Sequence, residues 1–261
     1  MKKILCILLF TFSVLLSYGQ NTSQGVLKFM DIPIDGTESQ FASQLQKKGF
    51  RYNYSSESYK GQFNGQMVDV YIHTNHELVD RVYVAFPFTE EAEIKNEYNR
   101  LLAQFASNSK YMDFVGNEEI PSDESVSYEI TVNSKRYQAS FSYLDPDRDP
   151  VSMTNDLLDT FVGFIPQEAI DKLKKTAKES EGLSLEEKQA ATEKAMTELG
   201  VLNVSTEADP ERSLHFFARL MQGMSSIADG DVWFMIHKNG SRYNLGLYYD
   251  NLHNRPHGED L

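Results

Sequence analysis

Asp145-Pro-Asp147-Arg-Asp149 sets a carboxylate at every second residue, and Asp156 follows eleven positions after Asp145. Acids at alternate positions of a curled loop can turn toward one cation, as in calcium loops. Asp145, Asp147, Asp149 and Asp156 are therefore a candidate calcium-type metal site. Pro150 stands where such loops need glycine, and the twelfth position is aspartate instead of a bidentate glutamate. An acidic turn leading into the next helix is the competing reading. His73 and His76 flank Thr74-Asn75, where two imidazoles and Glu77 could meet a zinc ion. Solvated side chains at a hairpin tip account for the same residues, and for His253, His257, Glu259 and Asp260 in the tail. No nucleophile elbow, Walker loop, dinucleotide fingerprint or His-Glu-x-x-His is present. Catalysis is thus not legible, and an enzyme is the less favoured class.

Aromatic residues are the other candidate chemistry. The chain has 14 tyrosines and 16 phenylalanines but one tryptophan. Many of them alternate along strand-like segments, and a sheet with helices on one face leaves its other face free for a rigid aromatic anchor. Tyr71, Tyr83, Phe86 and Phe88 are the candidate binding patch, with Tyr143, Tyr248 and Tyr249 elsewhere. Burial in the core is the alternative for each ring.

The compartment is read from the start of the chain. Met1-Lys2-Lys3, an apolar run from Ile4 to Leu16 and Ser17-Tyr18-Gly19 form the pattern of a secretory leader, with cleavage expected after Gly19. The run is shorter than the ~20 residues a membrane span needs. The single cysteine, Cys6, lies inside the leader, so no lipid anchor and no disulfide are expected. The expected location is the periplasm or exterior of a Gram-negative bacterium. A net charge of −13 disfavours nucleic acid and anionic membrane surfaces as partners. No cofactor is expected beyond the possible calcium.

Regular elements must position these residues. Asp35-Gly36-Thr37 leads into a helix over Glu38–Lys48, stopped by Gly49. From 51 to 88 the period drops to two, and Asn64-Gly65 and Thr74-Asn75 mark turns of a four-strand antiparallel meander. Thr89 opens a helix carrying Ile94, Tyr98, Leu101, Leu102 and Phe105 on one stripe. A second hairpin is expected over Val126–Val132 and Arg136–Leu144, turning at Asn133-Ser134. Residues 151–205 read as helical. A helix after Asp209-Pro210 and a third hairpin around Asn239-Gly240 fill 206–250, either completing the first sheet or forming a second half-domain, and 251–261 is a tail. The likeness of Asn133–Tyr137 to Asn239–Tyr243 hints at an internal repeat. The expected fold is α+β: an antiparallel sheet of hairpins, helices on one face and a helical insertion, within a domain over 26–150 and its completion.

Phe29 to Gly36, Lys48-Gly49-Phe50, Leu247 to Leu252 and Asn254-Arg-Pro256 resemble phrases of uncharacterised exported bacterial envelope proteins. The helix-then-meander order is similar to small periplasmic modules of the beta-lactamase-inhibitor-like and outer-membrane-assembly-lipoprotein type. The resemblance implies non-catalytic binding to an envelope protein or glycan. The alternative is an envelope enzyme acting on glycan through carboxylates of the loops at 115–125 or 145–149.

Overall fold

The structure, a computed structural model, describes residues 25–113, 116–145, 150–163, 165–180 and 227–255, with isolated positions between 183 and 223. The chain divides into two compact units. A sheet unit takes in 26–145 and 229–261, and a helical unit takes in 146–228.

The sheet unit starts with a small hairpin, β1 (Lys28–Phe29) and β2 (Ile32–Pro33). Helix α1 (Glu38–Lys47) follows, its first turn closed by a capping box in which Thr37 and Gln40 bond each other's backbone N–H. Gly49 then takes a left-handed φ of 96°, where a side chain would be strained. Next come β3 (Arg51–Asn53), β4 (Ser58–Phe63), β5 (Gln66–Asn75) and β6 (Leu78–Ala85). Asn64-Gly65 joins β4 to β5 with both residues at positive φ, as a two-residue turn matching strand twist requires. The β5–β6 turn comes two residues later than the sequence indicates, at His76-Glu77, which also hold positive φ.

Helix α2 (Glu91–Ala106) buries Ile94, Tyr98, Leu101, Leu102 and Phe105, the stripe its periodicity specifies. After the short β7 (Tyr111–Met112) the expected hairpin fails at its first arm. Val126–Val132 is a helix, α3, and only the second arm is a strand, β8 (Gln138–Tyr143). The alternation in Val126–Val132 loses to local capping: Ser125 Oγ accepts the Tyr128 N–H, and Glu91 of α2 accepts the Ser127 N–H at 3.2 Å. The chain returns to this unit as β9 (Gly230–Asn239) and β10 (Arg242–Asn251), then a short 3-10 turn, Leu252–Asn254.

These strands make one antiparallel eight-stranded sheet in the order β3-β4-β5-β6-β10-β9-β8-β7. The protein is thus α+β with a large antiparallel sheet, as the patterning predicts. The final hairpin takes the sheet's centre, while the helix expected after Asp209-Pro210 lies outside the described residues.

Strand order and register show a two-fold likeness different from the one the sequence suggests. A helix followed by four strands that lie side by side in chain order occurs twice, α1 with β3–β6 and α2 with β7–β10, the second set interrupted by helices, and the two sets meet at β6 and β10. Tyr59 pairs Val70 and Tyr71 pairs Tyr83 in one set; Phe141 pairs Val232 and Trp233 pairs Tyr248 in the other. Asp69-Val-Tyr71 thereby matches Asp231-Val-Trp233, and Ser58-Tyr59 matches Ser140-Phe141. The Asn133–Tyr137 likeness is not structural, because Asn133 ends α3. Where the first set turns at Asn64-Gly65, the second leaves for the helical unit.

One face of the sheet carries the core. Val70, Val84, Leu247, Phe234 and Ala139 lie abreast across five strands, all buried, and the inner sides of α1 and α2 join the same apolar cluster. Within the helical unit, α4 (Pro150–Asp159) and α5 (Gln167–Glu179) bury Leu157, Leu158, Ile170 and Leu173.

Candidate functional site

Side chains alternate along a strand, so the residues one step from the core row point to the opposite face of the sheet. On that face, opposite the one that packs α1 and α2, Tyr71, Tyr83, Tyr248, Trp233 and Ser140 lie abreast on β5, β6, β10, β9 and β8. The four rings form a continuous stack. Centroids are 5.4 Å apart from Tyr71 to Tyr83, 4.6 Å to Tyr248 and 3.8 Å to Trp233, with interplanar angles of 22°, 17° and 6°. Each contact adds about 0.5–1.5 kcal/mol beyond burial and removes rotational freedom from the next ring. The row is half-buried and rigid.

The next row along the strands is charged: His73, Arg81, Asp250, Asp231 and Ser142. Asp250 is fully buried, which four donors make possible. Arg81 gives Nε at 2.5 Å and Nη2 at 3.1 Å, the Trp233 indole N–H reaches it at 2.8 Å, and Arg255 Nη2 at 2.5 Å. The hydrogen bond to Asp250 holds the Arg81 guanidinium above its ordinary pKa. The same guanidinium carbon lies 5.8 Å from both the Trp233 and Tyr248 rings. Asp250 therefore fixes the tryptophan end of the row. Beside it, Asp231 accepts from Ser142 Oγ at 3.1 Å, and burial raises its carboxyl pKa.

On the other side of the aromatic row the sheet narrows to Ala85 and Gly246. A Cβ on Gly246 would stand 2.7 Å from His237 Nε2 and 3.0 Å from a Tyr83 ring carbon, so both rings lean over the glycine. His237 Nε2 and the Tyr248 hydroxyl are 3.2 Å apart, and Tyr83 hydrogen-bonds Tyr248 and Asn244. Burial is the main cause that pushes the Tyr83 phenol up to about 12, and it lowers the His237 imidazole from 6.5. A histidine held neutral in the fold takes a proton more readily when unfolded, so protonation favours unfolding. The contribution of His237 is complete above its unfolded value and falls as pH drops through that value. In urea melts between about pH 5 and 7, His237→Gln is expected to flatten the loss of stability on acidification. An unchanged slope would show that other groups carry it.

Of the patch proposed from sequence, Tyr71 and Tyr83 stand in this row. Phe86 is 3% exposed in the core, and Phe88, 42% exposed, lies beyond the end of β6. Tyr143 and Tyr249 face the core, whereas Tyr248 joins the row. Trp233, Asp250 and Arg81 were not singled out.

The acidic candidates do not assemble among the described residues. Asp145 ends the sheet unit, buried, its backbone N–H donating to Asp229 Oδ2 at 3.0 Å. Asp156 lies on α4, and Asp147 and Asp149 lie outside the described residues. His73 Nδ1 bonds the buried Asp80, not a site shared with His76, at 2.6 Å. No group of three metal-binding side chains occurs among the described residues. In the 116–125 loop, Glu124 is held below the ordinary carboxylate range by hydrogen bonds from Lys135 and Tyr137, the reverse of a general acid. That loop is pinned by two asparagine amides: Asn99 bonds both backbone groups of Ile120, and Asn117 both of Ser140, at 2.8–2.9 Å.

Grooves lie along α1 near Ser39 and Lys47 and between α2 and residues 119–122, neither lined by the aromatic row. No helix among the described residues is long and apolar enough to cross a membrane. No protein-family model, curated protein or solved structure matches this chain.

Proposed function

We propose that this chain is a non-catalytic binding protein of the bacterial envelope, exported by its leader, and that the sheet face opposite α1 and α2 is its binding surface. The observation that carries the reading is the four-ring stack of Tyr71, Tyr83, Tyr248 and Trp233, locked at one end by Asp250. Rings already fixed in place lose little entropy on binding, which makes such a row an efficient anchor for an envelope protein or a glycan. The reading needs no cofactor.

One observation favours an envelope enzyme instead. Asp231 has a raised carboxyl pKa and lies directly across from a second aspartate, Asp250. Asp250 is already occupied by four donors, however, so it is not free to act as a second catalytic carboxylate.

The test is capture from native envelope extract with residues 20–261 as bait, beside a Tyr83→Ser/Tyr248→Ser double variant shown to be folded. The expected result is a partner, protein or glycan, held by the parent and lost by the variant. Equal capture by both baits would remove the sheet face from the reading.

A further inference from the structure

We infer that the cleft between the N-terminus of α1 and the β5–β6 turn binds an organic cation of the alkylammonium class, against a wall of tyrosines and two carboxylates. It lies on the side of the sheet that packs α1, apart from the aromatic row, so it does not rest on the binding reading above. The cleft has a volume of about 530 Å³ and is lined by Thr37, Glu38, Ser39, Tyr59, Thr74 and Glu77. Backbone pairing builds it. Thr37 makes an isolated antiparallel bridge with Leu78, and the Val79 N–H donates to the Gly36 carbonyl at 2.8 Å. Glu38 and Glu77 are the neighbours of that bridged pair on the same side of it, so the bridge brings both carboxylates to one cleft.

The wall is a ridge of three rings. Tyr52 pairs Tyr59 across β3 and β4, with centroids 5.1 Å apart at an interplanar angle of 62°. Tyr54 stands 5.0 Å from Tyr52 at 87°. Rings set nearly at right angles turn their faces in different directions, which suits a rounded cationic head and gives no flat platform for a sugar or a base. Tyr52 is 39% exposed and Tyr54 87%, so the ridge is open to solvent.

Charge selects the ligand. Glu38 and Glu77 make no side-chain hydrogen bond or ion pair among the described residues, and no lysine, arginine or histidine among them lines the cleft. Like charges brought together are unfavourable until a counter-charge arrives. The N-terminus of α1 attracts anions, but its pole is worth roughly half a positive charge against two carboxylates. Thr37 and Gln40 already cap it. Burial, and then the charge of Glu38, raises the Tyr59 phenol above its ordinary pKa, so ring and carboxylate act on the same space. Ring faces attract organic cations and give nothing to calcium, which needs a shell of oxygens.

The test is an amide NMR titration of the full mature chain with tetramethylammonium chloride and with the peptide acetyl-Gly-Lys-Gly-amide. Sodium chloride and calcium chloride at matched ionic strength are the controls. We expect saturable shifts centred on Thr37–Ala42, Tyr52–Tyr59 and His76–Leu78. Saturation by both probes supports a site that a free amine can fill, and saturation by the peptide alone supports a lysine side chain as the source. Glu38→Gln combined with Glu77→Gln should weaken binding about tenfold, the loss of two exposed ion pairs. Tyr59→Leu should weaken it about threefold, the loss of one cation–ring contact. If Tyr59→Leu does not fold, the glutamate variant carries the test, since both glutamates are exposed. No saturable shift from either probe at tens of millimolar overturns the inference. So do equal shifts from the control salts, or an affinity unchanged in the glutamate variant.

Discussion

Asp250→Ala is expected to destabilise the sheet unit by about 3 kcal/mol, the lower end of what removing one partner of a buried ion pair costs. The carboxylate is wholly buried, but the Arg81 and Arg255 side chains are 34% and 36% exposed. Once released, both guanidiniums can reach water, which keeps the penalty from rising further. The indole N–H of Trp233 loses its acceptor as well, so the stack is disturbed along with the stability. Urea denaturation followed by tryptophan emission measures both at once. Asp250→Asn keeps the volume and should cost less. A loss below about 1 kcal/mol for Asp250→Ala would mean that the cluster is held by ring packing and not by the charge.

Replacing residues 146–227 by Asn-Gly is expected to leave a folded, cooperatively unfolding sheet unit. The helical unit enters the chain where the equivalent hairpin, β4–β5, turns in two residues. At that point the strands are already side by side. Asp229 N–H donates to Tyr143 carbonyl at 3.0 Å, and Asp145 N–H donates to the Asp229 carboxylate. In the shortened chain Asp145 and Ala228 flank the new turn as Phe63 and Gln66 flank Asn64-Gly65. A shorter connection also lowers the entropy cost of closing β8 against β9, by about 0.6 kcal/mol per halving of loop length for flexible loops. The measurements are thermal melting and the Trp233 emission maximum. A product without a cooperative transition would show that the sheet unit depends on the helical unit for its fold.

The first half of the sheet unit was legible because its signals are local. Thr37 with Gln40 starts α1, Gly49 stops it, and Asn64-Gly65 sets the β4–β5 register. Val126–Val132 misleads for an equally local reason, since its alternation is also compatible with a capped helix whose first turn borrows Glu91 from α2. The aromatic patch was half legible. Tyr83 on β6 and Phe86, one residue past its end, differ in parity, so a strict period of two already sends them to opposite faces. Tyr248 and Trp233 were hidden by a pairing of β6 with β10 that spans the whole helical unit, which no short pattern records. The match of Asp69-Val-Tyr71 to Asp231-Val-Trp233 was in the chain, but three residues gain meaning only once the strands are aligned.

Putting the last strand at the middle of the sheet sets a timetable for the growing polypeptide. The first helix and its four strands can assemble as soon as Ala85 is made, since every contact among them is near in sequence. The inner border of that half-sheet, the eight residues of β6, then has to wait for β10, made after everything from Phe86 to Ser241. Until β10 arrives, β6 displays unpaired backbone groups and a tyrosine to any other strand nearby. That interval is the period in which the half-made protein is most open to pairing with the wrong chain, and a holding factor would protect it best there.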